Sequence, residues 1–256
     1  MILTIDVGNS NIILTIFDAK NVVKKWKIVT DRETTKEEYE LIIKQIMASN
    51  DFDYKKIDGI VYSSVVPEID KSLLSGIKFI KAKLIKIKDK TTKLDLKFKK
   101  DIKDRPGEDI LMNVVSAKTR YKENFITIDM GTATTFSIVG KGGEYQATII
   151  APGANLSAMA LHNHCSLLPE VEIKKPKNFI GNTTKDLMQS GLFYGYIGMI
   201  KEIIERIKEE YKNIKFKICI TGGLSIVFVH DLKFIDDYLP NLTAEGLNEV
   251  WYLNNK

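Results

Sequence analysis

Cysteine is nearly missing from this chain. Only Cys165 and Cys219 occur, one beside histidines and one in an apolar run, so the sequence encodes neither a disulfide framework nor a Cys-rich zinc site. That usage points to a reducing compartment. Long apolar runs are absent as well: no stretch approaches the roughly 18 residues a membrane span requires. Asp6 falls inside the first apolar run, with no basic region ahead of it, unlike a targeting segment. The expectation is a cytoplasmic protein with no membrane partner. There is no basic tract either. The 38 Lys and Arg exceed the 33 Asp and Glu to give +5, but they are spread along the chain, which argues against a nucleic-acid surface. Two phosphate-binding signatures are also lacking, since no G-x-x-x-x-G-K-[ST] occurs and no G-x-G-x-x-G follows a strand. What the chain does have is length and core: 256 residues with 44% hydrophobic content suffice for one large domain or two ordinary ones, and exclude disorder.

The sequence repeats itself. Residues 2–17, ILTIDVGNSNIILTIF, read as strand, tight turn, strand, and residues 125–139, FITIDMGTATTFSIV, read the same way;. Thr127, Ile128, Asp129 and Gly131 stand where Thr4, Ile5, Asp6 and Gly8 stand, at a constant offset of 129 − 6 = 123. One Asp-x-Gly is an ordinary turn. Two matched units about half a chain apart indicate a duplicated α/β architecture, with halves at 1–117 and 118–256.

Other elements fit two such halves. Thr35 to Glu38 has the form of a capping box and leads into an amphipathic helix over Tyr39–Met47;. A strand is expected from Ile57 to Val66, stopping at Pro67, and helices from Asp109 to Arg120 and Thr184 to Tyr211. Phe216–Ile220 reads as a strand opening onto Thr221, Gly222 and Gly223. Lys81–Lys103 alternates Lys with Leu, Ile and Phe, as exposed strands do;. Gly191, Gly195 and Gly198 fall at i, i+4 and i+7, a stripe that suits close approach of another helix, in the core or across a dimer interface. His162, His164 and Cys165 form the single metal-like cluster in the sequence, with no evident fourth ligand;. Cys219 reads as core.

The Asp-Gly turns have the composition of a phosphate and Mg²⁺ site. Gly8 allows backbone N–H groups to approach a phosphate, Asn9 and Ser10 add donors, and Asp6 can hold the cation directly or through its water. Gly131, Thr132 and Thr134 make a second clamp. Thr221, Gly222 and Gly223 make a third, against which a base or ribose could lie.

In chain order, Asp6-Val7-Gly8-Asn9-Ser10, Gly107-Glu108-Asp109 with Asn113, Asp129 through Thr135, Pro152-Gly153, Leu168-Pro169, Ile180 through Thr184 and Thr221-Gly222-Gly223 resemble the type III pantothenate kinases. The resemblance covers essentially the whole chain. It implies a duplicated ribonuclease-H-like fold of the actin, Hsp70 and sugar-kinase superfamily, with two halves flanking a nucleotide cleft. It also implies phosphorylation of pantothenate, the first step of coenzyme A synthesis, with ATP and Mg²⁺ as cofactors. ATP phosphates would lie near Asp6 to Ser10 and Asp129 to Thr134. A monovalent cation, K⁺ or NH₄⁺, would bind near Asp129, and the protein would be a homodimer. Asp109 would be the catalytic base, with Gly107, Glu108, Ile110, Thr183 and Thr184 around the acceptor. Taken without the resemblance, Asp109 is a first-turn helix acid, and both roles can coexist.

Two departures stand out. The family usually carries Gly-x-Asp-Arg, whereas this chain has Ile110 in the Arg position, and Ile offers none of the donors that a carboxylate or phosphate would use. The family also tends to Gly-Gly where Ala147 and Thr148 stand. Both lie on the acceptor side, so three functions remain open: an active kinase with relocated basic contacts, a kinase for another small hydroxyl compound such as a sugar or polyol, and a nucleotide-binding regulatory or accessory protein with weakened catalysis.

Overall fold

The computed structural model describes residues 1–212 and 214–255, in two compact units. One contains Met1–Leu96, Asp104–Ser116 and the chain from Leu242 onward; the other contains Lys97–Lys103 and Ala117–Asn241. The division expected at 117/118 lies one residue from the Ser116/Ala117 boundary. Neither unit is a single stretch of chain, because the C-terminal helix belongs with the first and a short lysine-rich segment with the second.

The first unit is built on a sheet of β1 (Ile2–Val7), β2 (Asn11–Asp18), β3 (Asn21–Val29), β4 (Gly59–Ser64) and β5 (Lys83–Lys86), ordered β3-β2-β1-β4-β5. The first three strands pair antiparallel, and β4 and β5 join parallel. Strand alternation sorts the side chains. Leu3, Ile5 and Val7 enter a core with α1 (Lys36–Ala48) and α2 (Pro67–Gly76), whereas Ile2, Phe17 and Val61 pack with α3 (Glu108–Arg120) and the last helix, α7 (Leu242–Asn254). Asp6 shares a strand face with Ile2, so the alternation that buries Ile5 under α1 places Asp6 on the α3 and α7 side. At the start of α1 the expected capping box is formed: the Glu38 N–H donates to Thr35 Oγ1 and the Thr35 N–H to the Glu38 carboxylate.

The second unit has the sheet β11-β10-β7-β8-β9-β6, from β6 (Lys97–Phe98), β7 (Asn124–Met130), β8 (Ala133–Gly140), β9 (Glu144–Pro152), β10 (Phe216–Thr221) and β11 (Asp237–Tyr238). Without β6 its order and directions repeat those of the first sheet. The offset of 123 extends to the third strand, since β3 at 21–29 maps onto β9 at 144–152. The ribonuclease-H-like unit is therefore duplicated in topology as well as in motif. Ile126, Ile128 and Met130 pack with α4 (Ala154–His164), α5 (Thr184–Glu210) and Phe228 of the short α6 (Ser225–Phe228).

The strands expected across Lys81–Lys103 are mostly not formed. Only β5 and the two-residue β6 are strands; between them the chain turns, with the Thr92 N–H donating to Asp89 O and Asp95 at φ 51°. Lysines on alternate positions suit solvated sheet edges, and each of these segments pairs along one side only;. Among the described residues, no helix is long and apolar enough to cross a membrane.

Candidate functional site

The two Asp-Gly turns are built alike. In the first unit, the Gly8 N–H donates to Asn11 O at 3.0 Å and closes the turn between β1 and β2. Thr30, just past β3, ties it down: its N–H donates to Ser10 O at 3.1 Å and its hydroxyl to Gly8 O at 2.7 Å. The side chains of Asn9 and Ser10 remain exposed. Asp6 pairs in register with Ile13 on β2 and Ser63 on β4. Its face also carries Thr4 and, opposite Thr4, Thr15, which pairs in turn with Lys25. The hydroxyls of Ser63 and Thr15 are buried without a hydrogen-bond partner. Partial desolvation holds the Lys25 ammonium below the usual lysine range although the residue is exposed, opposed by the Asp6 and Glu245 carboxylates. Carboxylate, hydroxyls and lysine thus converge on one sheet face.

In the second unit the Gly131 N–H donates to Ala133 O at 3.0 Å, and the Gly153 N–H donates to Thr132 O at 3.0 Å, matching the roles of Gly8 and Thr30. Asp129 pairs in register with Thr135 and Thr221. Gly222 follows at φ 94° and lies so close to Asp129 and Met130 that a Cβ would stand 2.5 Å from Met130 N. Gly223 is exposed, with nothing near its Cβ direction. Thr134 lies on the strand face opposite to that of Asp129. It shares a strand face with Phe136 and Ile138, which pack under α5, and its hydroxyl is buried without a partner. Thr135 is the hydroxyl residue on the Asp129 side.

Among the described residues, no group of three or more His, Cys, Asp or Glu is gathered as metal ligands would be. The exposed His162 ring places Nδ1 2.9 Å from Leu168 O. Asp6, with the unsatisfied hydroxyls of Ser63 and Thr15 on its face, fits a hard cation that takes its other ligands from phosphate and water.

The segment entering α3 holds Asp109. Its carboxylate accepts the Ile110 N–H at 2.8 Å and folds back over the loop, since a Cβ on Gly107 would lie 2.5 Å from Asp109 Oδ1. Burial pushes the Asp109 carboxyl above the usual range, partly offset by the Ile110 and Asp109 backbone N–H groups. Glu108 has different partners. It is buried, accepts the Ser64 N–H at 3.1 Å, and has Lys88 Nζ at 4.0 Å, so it fastens the start of α3 to the end of β4. Burial raises its carboxyl too, against the Ser64 N–H, Lys88 and Arg105. Ile110 is buried. Thr183 caps α5, its hydroxyl accepting the Asp186 N–H at 3.1 Å and donating to the Asp186 carboxylate at 2.7 Å, and Thr184 is exposed in the first turn. Thr148 is engaged with Tyr145 and Ser137 at 2.7 and 3.0 Å.

Sequence reasoning missed Ser63, the register partner of Asp6, and Thr15 and Lys25 further along the same face, and it did not single out Thr135, the register partner of Asp129, within its motif. It also passed over Arg105, visible two residues before Gly107.

The chain is similar to known proteins along most of its length. The type III pantothenate kinase family matches residues 2–206. A type III pantothenate kinase of Maricaulis maris is 36% identical over 255 residues, covering 99% of this chain and 98% of that protein. Among solved structures, a Campylobacter jejuni protein described as a Baf family transcriptional activator superposes with a TM-score of 0.61 at 18% identity, covering 98% of each chain. A Sinorhizobium meliloti protein described as a 2-dehydro-3-deoxygalactonokinase gives 0.58 at 10% identity, covering 99% of each. The structural likenesses establish the fold, that of the actin-like ATPases and sugar kinases. The family match and the identity sustained along the whole sequence establish more, and this chain belongs to the type III pantothenate kinase family.

Proposed function

We propose that this protein transfers the γ-phosphoryl group of ATP to the primary hydroxyl of pantothenate. Beyond family membership, the observation that carries this reading is Asp109: a half-buried carboxylate that accepts the Ile110 N–H and rests against Gly107, its pKa pushed up by desolvation, in the segment that the family uses for its base. A general base works best when its pKa approaches the working pH. Asp109 would take the hydroxyl proton as the new O–P bond forms and the γ-phosphorus to β-oxygen bond breaks, leaving ADP. Phosphoryl transfer depends mainly on positioning and charge neutralisation, so one oriented carboxylate suffices. Mg²⁺ would neutralise the phosphates. Asp6 would hold it directly or through water, with Asn9, Ser10 and the backbone around Gly8 and Gly131 binding phosphate, and Gly222 and Gly223 flanking the nucleoside. A monovalent cation, K⁺ or NH₄⁺, would sit at Asp129 beside Thr135 and Thr221.

The reading includes a homodimer. Gly191, Gly195 and Gly198 are exposed, and among the described residues nothing outside their own helix lies within 4 Å of a Cβ built on them. Leu187, one helical turn ahead of Gly191, is 52% exposed. A self-complementary two-fold contact would cover both. Light scattering tests it: a particle of 29.0 kDa at micromolar concentration would refute the dimer.

ADP release with and without pantothenate tests the activity. ATP binding without pantothenate-dependent ADP release would favour instead a nucleotide-responsive accessory protein, or a kinase for another hydroxyl compound, the readings that the apolar Ile110 supports.

A further inference from the structure

An anionic acceptor needs a cation near Asp109, and position 110 supplies none. Ile110 is 8% exposed and stands at i, i+4 and i+7 with Val114 and Ala117, both fully buried. The three make one apolar stripe along α3, where a charge would be desolvated without a partner. A guanidinium does occur in the same loop. Arg105 precedes Gly107 by two residues, a length of chain that spans at most about 7 Å. The Asp109 carboxylate rests against Gly107, so the arginine springs from the backbone beside the proposed base.

Arg105 is lightly committed. Its side chain is exposed, and its hydrogen bond, from Nη2 to Ile87 O, is long at 3.5 Å. The carboxylate influenced by its charge is Glu108, which already accepts the Ser64 N–H and has Lys88 at 4.0 Å. Lys88 is itself shared between two carboxylates, Asp70 at 3.9 Å and Glu108. Of these two neighbouring cations, Arg105 is the one that no carboxylate among the described residues holds within ion-pair distance, and its planar fork of donors suits a carboxylate.

We propose that Arg105 determines acceptor specificity, its guanidinium binding the carboxylate of the hydroxy acid whose hydroxyl Asp109 deprotonates. The assignment rests on the phosphotransfer reading above. Pantothenate carries its carboxylate at the opposite end of the molecule from its primary hydroxyl. A cation offset from the base along the loop therefore suits it better than one adjacent to the base, and Arg105 takes over what Ile110 cannot do.

Panthenol, in which a neutral hydroxymethyl group replaces the carboxylate, separates charge recognition from the rest of binding. A charge-assisted contact predicts that the native protein prefers pantothenate to panthenol by roughly tenfold to a hundredfold in KM. In Arg105→Gln the KM for pantothenate should rise by that factor, while the values for panthenol and ATP stay unchanged. Arg105→Lys should fall between. A native-like preference in Arg105→Gln overturns the assignment, as does an equal rise for both acceptors. Calorimetric binding of pantothenate to native protein and Arg105→Gln makes the test independent of turnover. Arg105-dependent binding without phosphorylation of either acceptor would refute the kinase reading and uphold the arginine's role. Equal binding by both proteins, or binding by neither, refutes that role.

Discussion

Gly222→Ala isolates what holds Asp129 in place. The residue has φ 94°, a left-handed conformation that costs an L-residue about 1–2 kcal/mol. The new methyl would also stand 2.5 Å from Met130 N and 2.6 Å from Met130 C, and would press on Asp129 Oδ1. Two of these neighbours are backbone atoms and cannot rotate away, so the turn must move. Movement puts two hydrogen bonds at risk, from the Leu224 N–H to Met130 O and from the Ser225 hydroxyl to Gly222 O, each contributing about 0.5–1.5 kcal/mol. Together these terms give a loss of about 2–5 kcal/mol, large against a typical domain stability of about 5–15 kcal/mol. Gly223→Ala is the internal control. Nothing lies within 4 Å of its Cβ position, so its stability should stay within about 0.5 kcal/mol of native. Urea unfolding measures both, with an unchanged slope required for the comparison. ATP affinity should fall in Gly222→Ala, since the displaced turn flanks the proposed nucleoside site and holds Asp129. A Gly222→Ala protein within about 0.5 kcal/mol of native, or equal losses in the two variants, would refute the close-packing argument.

Asp109→Asn should lower turnover by about 10²–10⁴-fold, the usual contribution of a general base, while calorimetric ATP binding stays unchanged; Asp6→Asn should instead weaken Mg²⁺-ATP binding, and equal loss of ATP binding in both would contradict the division. Asp109 also has a stability signature: its folded pKa is raised by burial, so its stabilising contribution is full below the ordinary carboxylate range and disappears as pH rises through the raised value. Asp109→Asn should therefore be at least as stable as native at neutral pH and lose that advantage in acid, and denaturation across this pH range that gave parallel curves would count against a perturbed carboxyl. Of the two cysteines, Cys165 is exposed and Cys219 buried, with burial pushing the Cys219 thiol up to about 12; one equivalent of a thiol reagent should react quickly with native protein and a second only on unfolding. Gly195→Glu places a charge on the exposed glycine stripe and should halve the mass seen by light scattering without loss of helicity, whereas an unchanged dimer would move the interface elsewhere.

How much of this was legible depended on how local each determinant was. The α1 capping box needs only Thr35 and Glu38, and was read directly. The Asp6 and Asp129 turns were legible because each strand, turn and returning strand lies within a short stretch, and because the second copy repeats the first. Partners brought by parallel pairing were invisible: Ser63 meets Asp6, and Thr221 meets Asp129, across β4 and β10, whose register no local pattern encodes. The strand face that Thr134 takes was not legible for a related reason. Side chains alternate every residue along a strand, so the residue at which β8 begins decides which threonine faces Asp129. The pairing of Met130 with Thr134 and of Asp129 with Thr135 settles it, and leaves Thr134 in the core with Phe136.

Ile110 exposes the limit of reading a motif by position. Set against Gly-x-Asp-Arg, it registers as a lost cation and suggests a damaged site. Set against α3, it is the first member of a buried stripe with Val114 and Ala117, where the helix requires an apolar residue. The same position cannot serve both demands, because a guanidinium on that stripe would be desolvated at a cost of several kcal/mol unless another group paired with it. Burial along the stripe thus accounts for an apolar residue at this position. It also shifts the question of acceptor recognition from the helix to the loop before it, where Arg105 is solvated, close in sequence to Gly107, and in no ion pair among the described residues.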